Sequence, residues 1–450
     1  GPGGSIDGVV TPRQPGSALK PFTYAAAFER GMDPSRVLAD VPSQFPTAKP
    51  GVLYSPQNYD GQFRGPLLVR AALAGSENVP AVSLASEIGV PALARMLRRA
   101  GMTTLDHNPS HYGLGLTLGN AEVRLDELIS AYAMFARGGE RVIPQSIRVM
   151  DGVAQPRPPA ERVVSERTAF WVADMLADND ARAYIFGRGS SLEFPFTVAA
   201  KTGTSQSYHD NWAIGFTRDV TVGVWVGNFD RTPLRNSTGV TGAGPIFHDV
   251  MLAAIERTRG SLPIGETAAI VPAPADVRRV ELCATSGMAP HASCPTRSAE
   301  WMPAHATIDR CTWHHTSDGT LLTVWPEPYR RWARTTGVRP ATQKTARGEV
   351  ARPVNVSVKP DTSSRSRLTI VRPLAGAVFL IDPTLRPEFQ TLPLAAEGAS
   401  PGSVEWYVDG SLVATSSPDG TVRWPLKAGP HTIAVRDSNG RTVETTIVVR

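Results

Sequence analysis

The chain has 450 residues, with 46 Lys and Arg against 41 Asp and Glu, a formal charge of +5 and an isoelectric point near 9.2. That length suits two or three domains, each able to bury a core. The mild basicity has no dense cluster beyond Arg330-Arg331-Trp332-Ala333-Arg334 and no zinc-finger or RNA-binding signature beside it, which argues against nucleic acid as a partner. No apolar run reaches the ~18 residues needed to cross a bilayer.

Residues 1–5, Gly-Pro-Gly-Gly-Ser, read as a tag or linker scar and are set aside from the fold. A helical stretch from Ser17 to about Arg30, closed by Gly31, opens on Ser17-Ala18-Leu19-Lys20. Positions i and i+3 share a helix face, so the Ser17 hydroxyl and the Lys20 amine are expected to meet. A serine hydroxyl becomes a good nucleophile when a base takes its proton, and a lysine serves as that base when burial or a nearby cation lowers its pKa. The apolar neighbours Leu19, Pro21, Phe22 and Tyr24 suit such desolvation, while Pro21 is awkward inside a helix.

Apolar helical runs at 67–74 and 81–88 flank Gly75-Ser76-Glu77-Asn78, so Ser76 and Asn78 are expected in a helix–helix loop. Further helices are expected over 92–99, 125–137 and 166–177, with Gly101 and Gly138 as stops. Residues 114–119 form a Gly-rich apolar loop without the Gly-Lys-Ser/Thr ending of a phosphate loop. The alternating run 194–200 reads as a strand ending in Lys201-Thr202-Gly203-Thr204, where Gly203 permits close approach to the backbone and Lys201, Thr202 and Thr204 suit an anion. Residues 211–217 and 220–226 alternate around Arg218-Asp219 as an antiparallel hairpin continuing that sheet. Each of the three polar motifs also has a plain structural explanation, as a helix cap or as a solubilised edge strand.

From residue 260 the composition turns to Pro, Ala, Arg and Thr, which reads as a connector over 260–367 holding a small ordered piece and ending in a flexible link at 345–367. It carries all three cysteines, Cys283, Cys294 and Cys311, with ten and then sixteen residues between them. With Cys311-Thr312-Trp313-His314 they make a possible Cys3His zinc set, although those spacings match no familiar zinc pattern. Residues 368–450 offer short strands about ten residues apart, turns at Asp409-Gly410 and Ser438-Asn439-Gly440, and a candidate core tryptophan, which together predict an all-β immunoglobulin-like sandwich.

Ser-x-x-Lys, then Ser-x-Asn, then Lys-Thr-Gly, in that order and on a helix, a loop and a strand, is the motif set of β-lactamases and penicillin-binding proteins. With the stretches 13–22, 78–82, 131–139, 201–205 and 210–215, the chain resembles the class A penicillin-binding proteins, particularly those of the 1C type, tightly over about 8–257 and loosely beyond. The resemblance implies an α/β (α+β) transpeptidase fold, an antiparallel sheet with helices on its faces, over 6–259. It also implies a membrane anchor, a glycosyltransferase domain and the first strands of the sheet upstream of the nucleophile. Those strands either come from elsewhere or are replaced by Ile6–Val10.

By the same resemblance, Ser17 attacks the carbonyl between two terminal D-alanines of a peptidoglycan stem peptide while Lys20 takes its proton. Ser76 relays a proton to the leaving D-alanine and Asn78 orients Lys20 and the substrate amide. Backbone N–H groups of Ser17 and Thr204 hold the oxyanion, and Lys201, Thr202 and Thr204, with Gly203 between them, grip the terminal carboxylate. An amine from a second stem then resolves the acyl-enzyme, and β-lactams acylate Ser17 stably. No cofactor and no metal are expected. The implied location is the periplasmic face of the inner membrane, where one disulfide is the expected use of three cysteines and one thiol is left over. The terminal module is expected to dock other cell-wall proteins, an α2-macroglobulin-like protein among them. The alternatives are a D,D-carboxypeptidase, a β-lactamase for which Glu77 is a weak candidate base, and a β-lactam sensor or non-catalytic wall-binding module.

Overall fold

In the computed structural model the described residues are 6–47, 52–235, 237–317, 320–336, 368–373, 375–379, 381, 390–418 and 420–450. The predicted tag at 1–5 and the predicted link at 345–367 lie outside them. The chain divides into two compact units, one of residues 1–40 and 66–311, the other of 41–65 and 312–450. This division differs from the expected boundaries at 259 and 367.

In the first unit the longer helices are α1 (Lys20–Phe28), α2 (Val69–Ala74), α3 (Asn78–Ile88), α4 (Val90–Arg99), α5 (Leu125–Ala136), α6 (Glu166–Ala177), α7 (Asn179–Phe186) and α8 (Gly244–Arg259). The strands β1 (Ala199–Thr204), β2 (Asp210–Phe216) and β3 (Thr221–Gly227) form an antiparallel sheet with β2 in the centre. Alternation along β2 sorts its side chains to two cores. Trp212, Ile214 and Phe216 join the large cluster built with α1 and α3 to α6, whereas Ala213 faces a smaller cluster with Phe247, Met251 and Ile255 of α8. The result is three layers, helices on both faces of the sheet, as expected.

Four local expectations change. Residues 16–19 form a 3₁₀ turn and α1 begins only at Lys20, so Pro21 lies in the first helical turn, where its missing N–H leaves no gap. Lys201-Thr202-Gly203 lies inside β1 rather than at the end of a strand over 194–200. Pro195 interrupts that earlier run, and Phe194 and Phe196 pack side by side, with Phe194 edge-on to Phe247. Residues 113–118 are a 3₁₀ turn rather than an open loop. Ile6–Val10 form no strand; Val9 instead accepts a backbone bond from Leu125.

Residues 260–311 belong to the first unit because β4 (Val277–Cys283) and β5 (Arg297–Pro303) pair as an antiparallel hairpin seated on α6. Trp301 meets Phe170 edge-on at 5.4 Å, and the fully buried Glu300 takes a bidentate grip from Arg70 on α2. Arg70 also reaches Asp174 at 2.6 Å, so one guanidinium ties α2, α6 and β5 together.

Among the described residues the second unit consists of strands, including the paired His314–Ser317 and Thr320–Thr323, and one short helix, Glu327–Thr335. One sheet pairs Thr369–Arg372, Thr391–Glu397 and Val422–Pro425; the other runs through 442–449, 429–436, 404–408 and 411–416. Both enclose a core centred on Trp406, with Trp424, Ile433, Val435 and Ile447, which matches the expected sandwich. The Asp409-Gly410 turn is as predicted, both residues holding positive φ, as a type I′ hairpin requires. The sequence did not disclose that Val52–Tyr54 joins this sheet beside Val378–Phe379, in parallel. Among the described residues, no helix is long and apolar enough to cross a membrane.

Replacing Arg70 by Met leaves the Glu300 carboxylate buried without its cation and is expected to lower stability by about 3–5 kcal/mol. Arg36→Ala, which removes a half-exposed pair with Glu87, is expected to cost no more than ~1 kcal/mol. Urea unfolding of both variants against the parent checks the contrast, and equal losses would mean that Arg70 does not hold the hairpin.

Candidate active site

Ser17 sits in the 3₁₀ turn ahead of α1, half-exposed between buried neighbours. That turn is pinned from three sides. The Trp212 indole donates to Gln14 O at 2.9 Å, the Tyr132 hydroxyl to Ala18 O at 2.6 Å, and Arg13 and Val123 exchange backbone bonds. Deeper in α1, Thr23 and Thr117 share a hydroxyl contact of 2.6 Å. All nine residues of α1 are buried, Lys20 fully.

β1 runs directly against this turn. A Cβ at Gly203 would lie 2.0 Å from Pro15 O and 3.1 Å from Ala18 N, and one at Gly16, whose φ is +57°, would lie 2.9 Å from Thr204 N. Both glycines are therefore steric requirements of the approach. It brings the backbone N–H of Thr204 beside the nucleophile turn, whose own first N–H groups lack helical acceptors.

Lys20 does not hydrogen-bond Ser17. Its ammonium donates to Asn78 Oδ1 at 2.6 Å, to Ser76 O, and to Ser76 Oγ at 3.4 Å, and Ser17 Oγ makes no hydrogen bond among the described residues. Asn78 is the first residue of α3 rather than a loop residue, while Ser76 lies in the loop as expected. Ser76 holds φ of +64°, uncommon for a residue with a side chain, and local strain of this sort concentrates at functional sites.

From the other side Lys201 donates to Ser76 Oγ at 2.7 Å and to Thr202 O at 2.9 Å. Two buried amines thus meet one hydroxyl. Burial lowers Lys20 to about 7, against the attraction of Glu77 and Asp40, which favours its charged form. Lys201 is held well below the ordinary lysine value, first by burial and then by repulsion from Lys20 and Arg182. A neutral amine at Lys20 is therefore well populated near neutral pH, the state a base requires.

Thr204 Oγ1 accepts from Gly239 N at 3.0 Å, on the opposite face of β1 from Lys201 and Gly203. Thr202 is buried on that same face, where a Cβ at Gly239 would touch its own Cβ at 2.9 Å. Of the expected set, Ser17, Lys20, Ser76, Asn78, Lys201 and Gly203 are thus brought together, whereas the side chains of Thr202 and Thr204 lie on the other face of β1.

Two further participants, Arg182 and Asp40, escaped the sequence reading, and a third, Glu77, entered it only as a weak candidate base. Arg182 on α7, 1% exposed, donates to Leu176 O and to Ala200 O just before Lys201. Asp40 and Glu77 are buried carboxylates whose charge acts on Lys20. The Glu77 carboxylate takes a hydrogen bond from Tyr184 at 3.0 Å, a contact allowed only because residue 75 is glycine. Arg182 and Asp40 lie in no recognisable motif; an Asp and an Arg in apolar surroundings were the only available signals.

Comparison with known proteins agrees with this geometry. The family model "Penicillin binding protein transpeptidase domain" matches residues 7–252, more than half the chain, and "Penicillin-Binding Protein C-terminus Family" matches residues 359–449. The chain is 28% identical to penicillin-binding protein 1C of Escherichia coli (strain K12) over 99% of its own length and 57% of that relative. It is 32% identical to penicillin-binding protein 1A of Neisseria meningitidis serogroup A over 55% of its length and 32% of the relative. It thus spans little more than half the length of the first of these relatives and a third of the second. The crystal structure of penicillin-binding protein 1A from Haemophilus influenzae superposes with a TM-score of 0.53 at 22% identity, covering 68% of this chain and 50% of that one, a likeness of fold. With the Ser17 turn, a buried lysine pair and a close-packed Lys-Thr-Gly strand in a matching fold, the chain belongs to the penicillin-binding protein transpeptidase family.

Proposed function

We propose that this site is a serine D,D-transpeptidase centre that cross-links peptidoglycan stem peptides and is acylated by β-lactams. The observation that carries the reading is the fully buried Lys20, lowered to about 7 and held by Ser76 and Asn78 one turn from a half-exposed Ser17. Neutral Lys20 takes the Ser17 proton as Oγ attacks the carbonyl between the terminal D-alanines. The oxyanion forms against backbone N–H groups of Ser17 and Thr204, each such donor contributing about 3–4 kcal/mol to the barrier reduction. The proton then passes from Lys20 through Ser76 Oγ, 3.4 Å away, to the departing D-alanine nitrogen, leaving an acyl ester on Ser17. Attack by an amine of a second stem restores the serine and completes the cross-link.

Lys201 supplies the cationic side of the carboxylate site. Burial, then repulsion from Lys20 and Arg182, hold it well below the ordinary lysine value, and the substrate's terminal carboxylate favours its charged form. Glu77 is engaged by Tyr184, a poor arrangement for activating a deacylating water, and this favours transfer over the β-lactamase alternative. On this reading the chain works on the periplasmic face of the inner membrane, with stem peptides and β-lactams as its small partners and the terminal sandwich as a docking module for other wall proteins.

Ser17→Ala is expected to abolish covalent labelling by a fluorescent penicillin; labelling that persists would refute the nucleophile. The labelling rate of the parent is expected to rise through about pH 7 as Lys20 loses its proton, and to fall about tenfold per pH unit below it. A flat profile across that range would remove Lys20 as the base. Gly203→Ala forces β1 off the nucleophile turn and is expected to slow labelling at least ~10-fold, with a stability loss of about 1–3 kcal/mol. A labelling rate equal to the parent's would show that the close approach is dispensable. Mass analysis of products from a stem-peptide donor with an amine acceptor separates transfer from hydrolysis.

A further inference from the structure

Cys283, Cys294 and Cys311 lie far apart in sequence, but the fold brings them to one buried point, and none is joined in a disulfide. The expected single disulfide with a leftover thiol is not what the structure shows. Cys283 is the last residue of β4. Cys294 closes a turn in which its N–H bonds His291 O at 2.9 Å. Cys311 is set by Ala289, whose N–H bonds Asp309 O at 2.8 Å and whose carbonyl takes the Cys311 N–H at 2.9 Å. Three residues further along the same local segment, His314 turns a ring nitrogen to that point. The three sulfurs and this nitrogen lie within 4.8 Å of one another, and all four residues are buried.

We propose that Cys283, Cys294, Cys311 and His314 bind one zinc ion as a closed structural site. A tetrahedron with Zn–S arms of about 2.3 Å has edges of about 3.8 Å, so the four atoms need to close in by no more than ~1 Å. A disulfide, with its sulfurs about 2.05 Å apart, engages only two of the four groups and leaves a thiol and an imidazole buried against it without a task. Three sulfurs and one imidazole are a soft, nitrogen- and sulfur-only set that selects zinc over calcium or magnesium.

Two donors already point at the sulfurs from outside. Ser286 Oγ–H reaches Cys311 Sγ at 3.2 Å, and the His291 N–H reaches Cys294 Sγ at 3.4 Å. Outer contacts of this type spread thiolate charge and orient the ligands. Loading is balanced: one Zn²⁺, three thiols and a neutral imidazole give a complex of charge −1 and release three protons. Four protein ligands leave no open position, so the ion's task is to fasten the end of β4, the 291–294 turn and the 311–314 segment together. The sequence spacings look unfamiliar because the ligands come from separate turns around one hairpin.

The test uses the full chain, purified without chelator. Elemental analysis is expected to find about one zinc per chain, and exchange with Co²⁺ is expected to give thiolate-to-cobalt charge-transfer bands with d–d bands of tetrahedral intensity. His314→Ala is expected to weaken zinc binding by more than ~100-fold, whereas His314→Cys, which restores a ligand, retains it. Fluorescent-penicillin labelling of Ser17 in each variant serves as the check that the chain has folded. A folded, metal-free chain whose intact mass carries the deficit of one disulfide would overturn the proposal. So would octahedral cobalt spectra, or an affinity that His314→Ala leaves unchanged.

Discussion

The Ser76 hydroxyl stands between two lysine amines that the fold has taken out of water, and much of the first unit serves to keep them there. Lys20 is buried because α1 has no exposed face, and Lys201 because β1 is covered by α-helical layers on one side and by the nucleophile turn at its end. Burial pushes both amines toward neutrality, and at Lys201 repulsion from Lys20 and Arg182 adds to it. Asp40 and Glu77 oppose that trend at Lys20, which keeps its proton affinity near neutrality and lets it both accept and return a proton. For this group the folded state prefers the neutral amine. Between about pH 7 and the ordinary lysine value the unfolded chain therefore binds more protons, and stability rises with pH across that window.

Backbone packing sets the geometry that makes the amines useful. Gly16 and Gly203 allow two segments far apart in sequence to approach more closely than any side chain permits, and the indole of Trp212 clamps the turn onto the central strand. The same strand sorts its alternate residues to two cores, so the helices on one face carry Lys20, Ser76 and Asn78 while α8 supports the other face. The arrangement of the candidate site and the packing of the domain thus share the same contacts.

Much of this was legible from residues alone. The three motifs, their order and their settings appear in the sequence because each is short and local, and because the helices around 81–88, 125–137 and 166–177 carry clear apolar periodicity. Less legible was what each side chain would bond. An i, i+3 spacing predicted a Ser17–Lys20 pair, whereas Lys20 is held by Ser76 and Asn78, since a 3₁₀ turn precedes α1 and α3 starts at Asn78. Arg182 and Asp40 went unnoticed because a buried charge leaves no periodic trace; its partner lies elsewhere in the chain.

The amino-acid order by itself determined the candidate nucleophile Ser17, its lysine neighbour, the Lys-Thr-Gly strand and the terminal sandwich with its Asp409-Gly410 turn, because these rest on local propensity, alternation and turn chemistry. Only the tertiary structure decided that residues 260–311 pack into the first unit through Trp301 and Glu300, and that 52–54 joins a sheet more than three hundred residues away. It alone brought three scattered cysteines and a histidine to one point. These depend on contacts between distant segments, where the free energy comes from burying surfaces against each other and no short window of sequence carries the signal.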